Sequence, residues 1–93
     1  MILAAKGRLE KYVKNHSSVR KAVEGWISDV EISNWKTPHD IRKRYSSASF
    51  LPKNNVVFNL KGNNYRLIVV VAYAMGVVTV KWIGTHAEYD KLN

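Results

Sequence analysis

From Leu67 to Val80 the chain runs fourteen residues without a charge. A membrane-spanning helix needs about 20 such residues. This stretch is shorter, rich in valine and broken by Gly76, so it reads as two buried β-strands. Met75-Gly76 makes the tight reversal between them, with strands expected over 65–74 and 77–83. A further strand is expected at Val56-Val57-Phe58-Asn59-Leu60, joined to the next by the turn Lys61-Gly62-Asn63-Asn64. The second half of the chain is therefore a three-strand antiparallel meander.

The first half has a different period. Ile2 to Ala5 is a short apolar segment, expected as a brief strand. Leu9, Tyr12 and Val13 recur at helical spacing over 6–16. Val19, Ala22, Val23, Trp26, Ile27 and Val30 follow the i, i+3, i+4, i+7 pattern of a half-buried helix, which Ser17 or Ser18 is placed to cap. Thr37-Pro38-His39-Asp40 reads as another helix start, with Thr37 as cap and Pro38 in the first turn. Thr85 and Glu88 form a capping box for a short closing helix. The expected fold is α+β: N-terminal helices packed on an antiparallel sheet, a short C-terminal helix, and one domain across 1–93.

Fifteen Lys and Arg stand against seven Asp and Glu, a formal net charge of +8. Such an excess suggests an anionic partner, nucleic acid first and an acidic protein second. The chain has no cysteine, so disulfides and thiolate metal sites are excluded. No two histidines have metal-ligand spacing on one face, and no metal or other cofactor is expected. With neither a signal peptide nor a membrane span in the pattern, the expected location is cytoplasmic.

Four features bear on chemistry, and each admits a plainer reading. Arg66 stands in the middle strand among apolar residues; it is either a phosphate-gripping cation or a strand-edge side chain reaching solvent. His86 and Tyr89 are three apart on the closing helix. They can act as acid and base, or simply be an exposed residue and an anchor to the sheet. Arg42, Lys43 and Arg44, with Lys36 nearby, suit an RNA backbone or an ordinary solvated helix face. Trp26, Trp35, Tyr45, Tyr65 and Tyr73 sit at core positions; Trp82 is the aromatic least accounted for by the core.

Two longer strings carry a family. Val57-Phe58-Asn59-Leu60-Lys61-Gly62-Asn63-Asn64-Tyr65-Arg66-Leu67-Ile68 resembles the central signature of HigB-type toxins, a branch of the RelE superfamily. Gly84-Thr85-His86-Ala87-Glu88-Tyr89-Asp90-Lys91 resembles their C-terminal signature. Trp35 to Ile41 and Ser47-Ala48-Ser49 also fit, so the resemblance covers nearly the whole chain. It implies a RelE-like fold and an endoribonuclease that cleaves translated mRNA on the ribosome. It also implies a HigA-type helix-turn-helix antitoxin, through which alone the toxin meets operator DNA. By position, Arg66 would face the scissile phosphate, with His86 and Tyr89 as its acid–base partners. Lys61, Asn63, Lys81, Arg42 and Arg44 are the expected RNA contacts.

The chain departs from its relatives at Val70 and Ala72, where they often carry a basic and a polar residue. That shifts the expected RNA groove toward Lys61 and Lys81. Two other readings compete: a gyrase-poisoning toxin of the same fold, similar to ParE, and a non-catalytic basic module that binds RNA or antitoxin.

Overall fold

Alternation decides which way the central strand faces. In the computed structural model, which describes residues 1–92, Leu67, Val69 and Val71 are fully buried, while Arg66, Ile68, Val70 and Ala72 on the other face are half-buried. The period of two in the sequence thus becomes an inner and an outer sheet face. The elements in chain order are β1 (Ile2–Ala4), α1 (Gly7–Asn15), α2 (Arg20–Ile32), α3 (Pro38–Arg44), β2 (Ser49–Leu51), β3 (Asn55–Leu60), β4 (Tyr65–Ala72), β5 (Val77–Thr85) and α4 (His86–Asp90).

The meander forms as expected: β3 pairs antiparallel with β4, and β4 with β5. The sheet is larger than the meander, however, and runs β1-β5-β4-β3-β2. β1 adds in parallel beside β5, pairing Ile2–Ala4 with Val77–Thr79. β2 forms from the Ser-rich link and adds antiparallel to β3. The first of these was expected as a brief strand; the second was not, since three residues of a Ser-rich link carry too little alternation to announce one, and the neighbouring strand supplies the template. At the β4–β5 turn, Gly76 takes a left-handed φ of 70° and its N–H donates to the Ala72 carbonyl at 2.9 Å.

The helical stripes bury where the periodicity put them. Leu9 of α1, Val23, Trp26 and Val30 of α2, and Ile41 of α3 lie against Val56, Phe58, Leu67 and Val69 of the inner sheet face. Phe58 is the hub. Its ring centroid lies 5.4 Å from Trp26, 6.1 Å from Trp35 and 5.2 Å from Tyr45. Tyr45 is tied in further by donating its hydroxyl to Asp29 of α2, which also receives Arg44 at 2.7 Å.

The expected capping box at Thr85 with Glu88 is present, and the expected cap at Thr37 is extended into a second box by Asp40. The predicted serine cap does not form. Ser17 to Val19 form a 3-10 turn with no side-chain cap, and the Ser18 hydroxyl instead meets the Tyr65 hydroxyl at 2.9 Å. A tertiary partner has replaced the local one. No helix among the described residues is long and apolar enough to cross a membrane.

Candidate active site and the groove beside it

The register of β4 against β5 brings the expected catalytic residues to one corner. Arg66 pairs with Gly84, and α4 begins two residues later at His86. The His86 N–H closes the ladder by donating to the Asn64 carbonyl at 2.9 Å. The strand bearing the lone Arg and the helix bearing His86 and Tyr89 are thus adjacent. The Thr85 capping box fixes where that helix starts: the Glu88 N–H donates to Thr85 Oγ1 at 3.1 Å and the Thr85 N–H to Glu88 Oε1 at 2.8 Å.

Arg66 is half-buried. Its Nη1 donates to the carbonyls of Asn63 at 2.9 Å and Tyr65 at 3.3 Å. Among the described residues it has no carboxylate partner, so its charge is compensated only by backbone dipoles. A guanidinium held this way keeps donors free for an anion. On the other side of β4 its row neighbour is Asn59, which donates to the Ser47 carbonyl at 3.3 Å.

His86 is about half exposed, with Nε2 3.3 Å from Asp90 Oδ2 one helical turn on. An exposed pair of this kind adds little stability, but it holds the ring's orientation. Tyr89 is half-buried on the outer sheet face. Its ring is 6.2 Å from Trp82, and with Leu51, Ile68 and Asp90 it lines a cleft of about 250 Å³. Gly84 permits this arrangement: a Cβ there would lie 2.5 Å from the Trp82 ring and 2.9 Å from Glu88 Oε1.

The expected RNA contacts divide. Lys61 and Asn63 lie in the exposed β3–β4 turn, next to the Arg66 anchor. Lys81 is exposed at the bulge of β5, where the register slips between Ile68 and Val69. Arg42 and Arg44 are on α3 and already engaged. Arg42 lies over the Phe50 ring at 4.9 Å, and Arg44 over Tyr45 at 4.8 Å while bonded to Asp29.

Sequence reading passed over a groove that the fold creates between α1 and β5. Its two adjoining hollows, about 320 and 370 Å³, share Tyr12, Trp82 and Ile83. Arg8 and Lys11 of α1 and Lys81 of β5 rim the first. The spacing of Arg8, Lys11 and Asn15 on one helical face was the available signal. Tyr12 stacks on His16 at 3.8 Å, and its pKa is pushed up to about 12 by burial first, then by the Glu88 charge and by Tyr65. Burial, then the Asp29 hydrogen bond and charge, raises Tyr45 as well, and burial raises Tyr73.

These three shifts predict an alkaline limit. A phenol with a raised folded pKa holds its proton longer folded than unfolded. The stability tied to the neutral phenols is therefore fully present below about pH 10, the unfolded value, and is lost as pH climbs toward the folded values. Phenolate absorbance should show Tyr12, Tyr45 and Tyr73 titrating late, with the melting temperature falling over the same range. All five tyrosines titrating together near pH 10 would contradict it.

Fold and corner together define a small basic α+β protein with an arginine, a histidine and a tyrosine on adjoining elements at one end of the sheet. The family model of HigB_toxin, described as the RelE-like toxic component of a toxin–antitoxin system, matches residues 19–92. The mRNA interferase HigB of Escherichia coli O6:H1 is 26% identical over 94 residues, covering 99% of this chain and 91% of its own length. The chain belongs to the HigB_toxin family. It is thereby the toxic component of a toxin–antitoxin system, and its partner is an antitoxin.

Proposed function

We propose that this toxin is a metal-independent endoribonuclease that cuts translated mRNA on the ribosome. The observation that supports the reading is the pairing of Arg66 with Gly84, which brings the strand that carries Arg66 next to the start of the helix that carries His86 and Tyr89. The similarity to an mRNA interferase supports it.

RNA brings its own nucleophile. One of His86 and Tyr89 takes the proton from the 2′-hydroxyl, whose oxygen attacks the adjacent phosphorus. Arg66 balances the charge of the phosphorane. The other group gives a proton to the departing 5′-oxygen. The products are a 2′,3′-cyclic phosphate and a 5′-hydroxyl, and no metal is required. General acid–base help is worth roughly 10²–10⁴ in rate. With so few such groups, the ribosome supplies part of the geometry by holding the message. Lys61, Asn63 and Lys81 hold the RNA backbone, with Arg42 and Arg44 as outlying contacts. A HigA-type helix-turn-helix antitoxin neutralises the protein and connects it to operator DNA. Residues 1–93 act as one domain, in the cytoplasm, where translation takes place.

The test is to induce the chain in cells and map RNA 5′ ends, beside a His86→Ala/Tyr89→Phe double variant. New ends inside open reading frames, lost in the double variant and insensitive to chelator in a ribosome-programmed reaction, are the expected result. Growth arrest without new ends would sink the nuclease reading and direct attention to gyrase. Cleavage abolished by chelator would sink the metal-independent scheme.

A further inference from the structure

We propose that the groove between α1 and the open edge of β5 holds a nucleotide of single-stranded RNA next to the one being cut. Its base lies against Trp82, and its phosphate lies among Arg8, Lys11 and Lys81. The inference rests on the RNA-cleavage reading above and gives that site a second, binding part.

Three observations carry it. The first is an unoccupied strand edge. β1 pairs with β5 only over Val77–Thr79, so among the described residues that edge has no strand neighbour from Val80 onward. In the antiparallel ladder the bonded pairs are His86 with Asn64 and Gly84 with Arg66. By the same alternation Thr85 and Ile83, on either side of Gly84, turn their N–H and C=O away from β4, and those of Ile83 point toward the groove it lines. A base edge can use both.

The second is charge. Arg8, Lys11 and Lys81 rim one hollow and Lys91 the next, and among the described residues none has a carboxylate in ion-pair range. The groove's own acid, Glu88, is occupied by the Thr85 N–H. Unpaired cations around an aromatic floor suit a nucleotide, which offers a ring to stack and a phosphate to neutralise.

The third is continuity. Trp82 belongs to both hollows and also touches Tyr89, so the groove leads to the α4 corner. Trp82 is the one half-exposed tryptophan, whereas Trp26 is 1% exposed and Trp35 4%. An acidic extended peptide also suits a basic strand edge. The aromatic floor and the continuity with His86 and Tyr89 favour RNA.

The experiment uses the whole chain and a single-stranded 2′-O-methyl oligoribonucleotide, which binds but has no attacking hydroxyl. Binding should quench tryptophan fluorescence, and the quenching should vanish in Trp82→Phe. Arg8→Ala/Lys11→Ala should flatten the dependence of log Kd on log salt by about 1.4, at about 0.7 per lost phosphate contact. Lys21→Ala/Lys53→Ala, which removes the same charge from exposed positions outside the groove, should leave the slope unchanged. Trp82→Leu should weaken binding about 5- to 150-fold, the cost of one stacked base. Since Trp82 also packs near α4, the α1 double variant keeps the test valid if Trp82→Leu fails to fold.

Equal affinity for the same sequence as a duplex would overturn the proposal, as would an unchanged salt slope in the α1 variant. If that variant instead loses only its grip on the antitoxin, the groove is a protein-docking edge and the proposal fails. A chain that binds the oligonucleotide through these residues yet cleaves nothing keeps the groove and loses the nuclease. A chain that cleaves with the slope unchanged keeps the nuclease and loses the groove.

Discussion

Replacing Arg66 by alanine should slow RNA cleavage about 10²–10³-fold, the usual cost of removing one preorganised donor from a developing oxyanion. The size of the effect follows from where the charge sits. The guanidinium is anchored to the Asn63 and Tyr65 carbonyls and, among the described residues, pairs with no carboxylate, so its remaining donors are available to a phosphate before any substrate arrives. Preorganisation of that kind spares the reaction a reorientation cost. The same two bonds anchor the β3–β4 turn, and their loss should lower stability by about 1–2 kcal/mol. That is too little to unfold a domain of ordinary stability. Arg66→Lys should recover only part of the rate, because an ammonium keeps the charge and loses the planar fork. Cleavage on ribosomes programmed with one message, beside a melting curve for each variant, separates the two effects. A folded Arg66→Ala protein within threefold of the parent rate would remove Arg66 from the phosphate.

Phe58→Ala should cost about 3–5 kcal/mol. Phe58 is fully buried and its ring meets Trp26, Trp35 and Tyr45, which arrive from α2, the following link and the end of α3. Removing it leaves a cavity that three rigid rings cannot easily close. It also forfeits edge and stacking contacts worth about 0.5–1.5 kcal/mol each. Against a total stability of about 5–15 kcal/mol, that loss takes the helical layer off the sheet in a large share of molecules at 37 °C. Phe58→Leu should cost much less, because most of the volume remains. Urea unfolding of both variants checks this. A Phe58→Ala midpoint close to the parent's would mean that the aromatic cluster is not what joins helices to sheet.

Some of the candidate site was legible from sequence because its signals are local. Thr85 and Glu88 announce their helix at a spacing of three, and His86 and Tyr89 are carried on it. Arg66 stood out because a charge within an apolar strand needs an explanation. The groove was not legible. Arg8 and Lys11 look like an ordinary solvated helix face and Ile83 like the end of a buried strand; Trp82 and Lys81 stand out singly, with nothing in the sequence to join them to α1. Only the parallel docking of β1 runs α1 alongside β5 and leaves that edge uncovered. The same distance in sequence hid the hydroxyl pair of Ser18 and Tyr65, and it made the local serine cap look sufficient.

Local signals in the chain set where α3 and α4 start, which helical stripes are apolar, and that three strands follow one another through short turns. Each depends on steric and hydrogen-bonding preferences over a few residues. Closure of the whole core is what makes Ile2–Ala4 and Ser49–Leu51 the two edges of the sheet. It also sets the register slip at Ile68/Val69, where Lys81 sits exposed, and brings the strand of Arg66 next to the start of the helix of His86. Segments of three residues have no stable conformation of their own. They take the one their neighbour's unpaired N–H and C=O groups impose, and which neighbour that is depends on how the whole core closes.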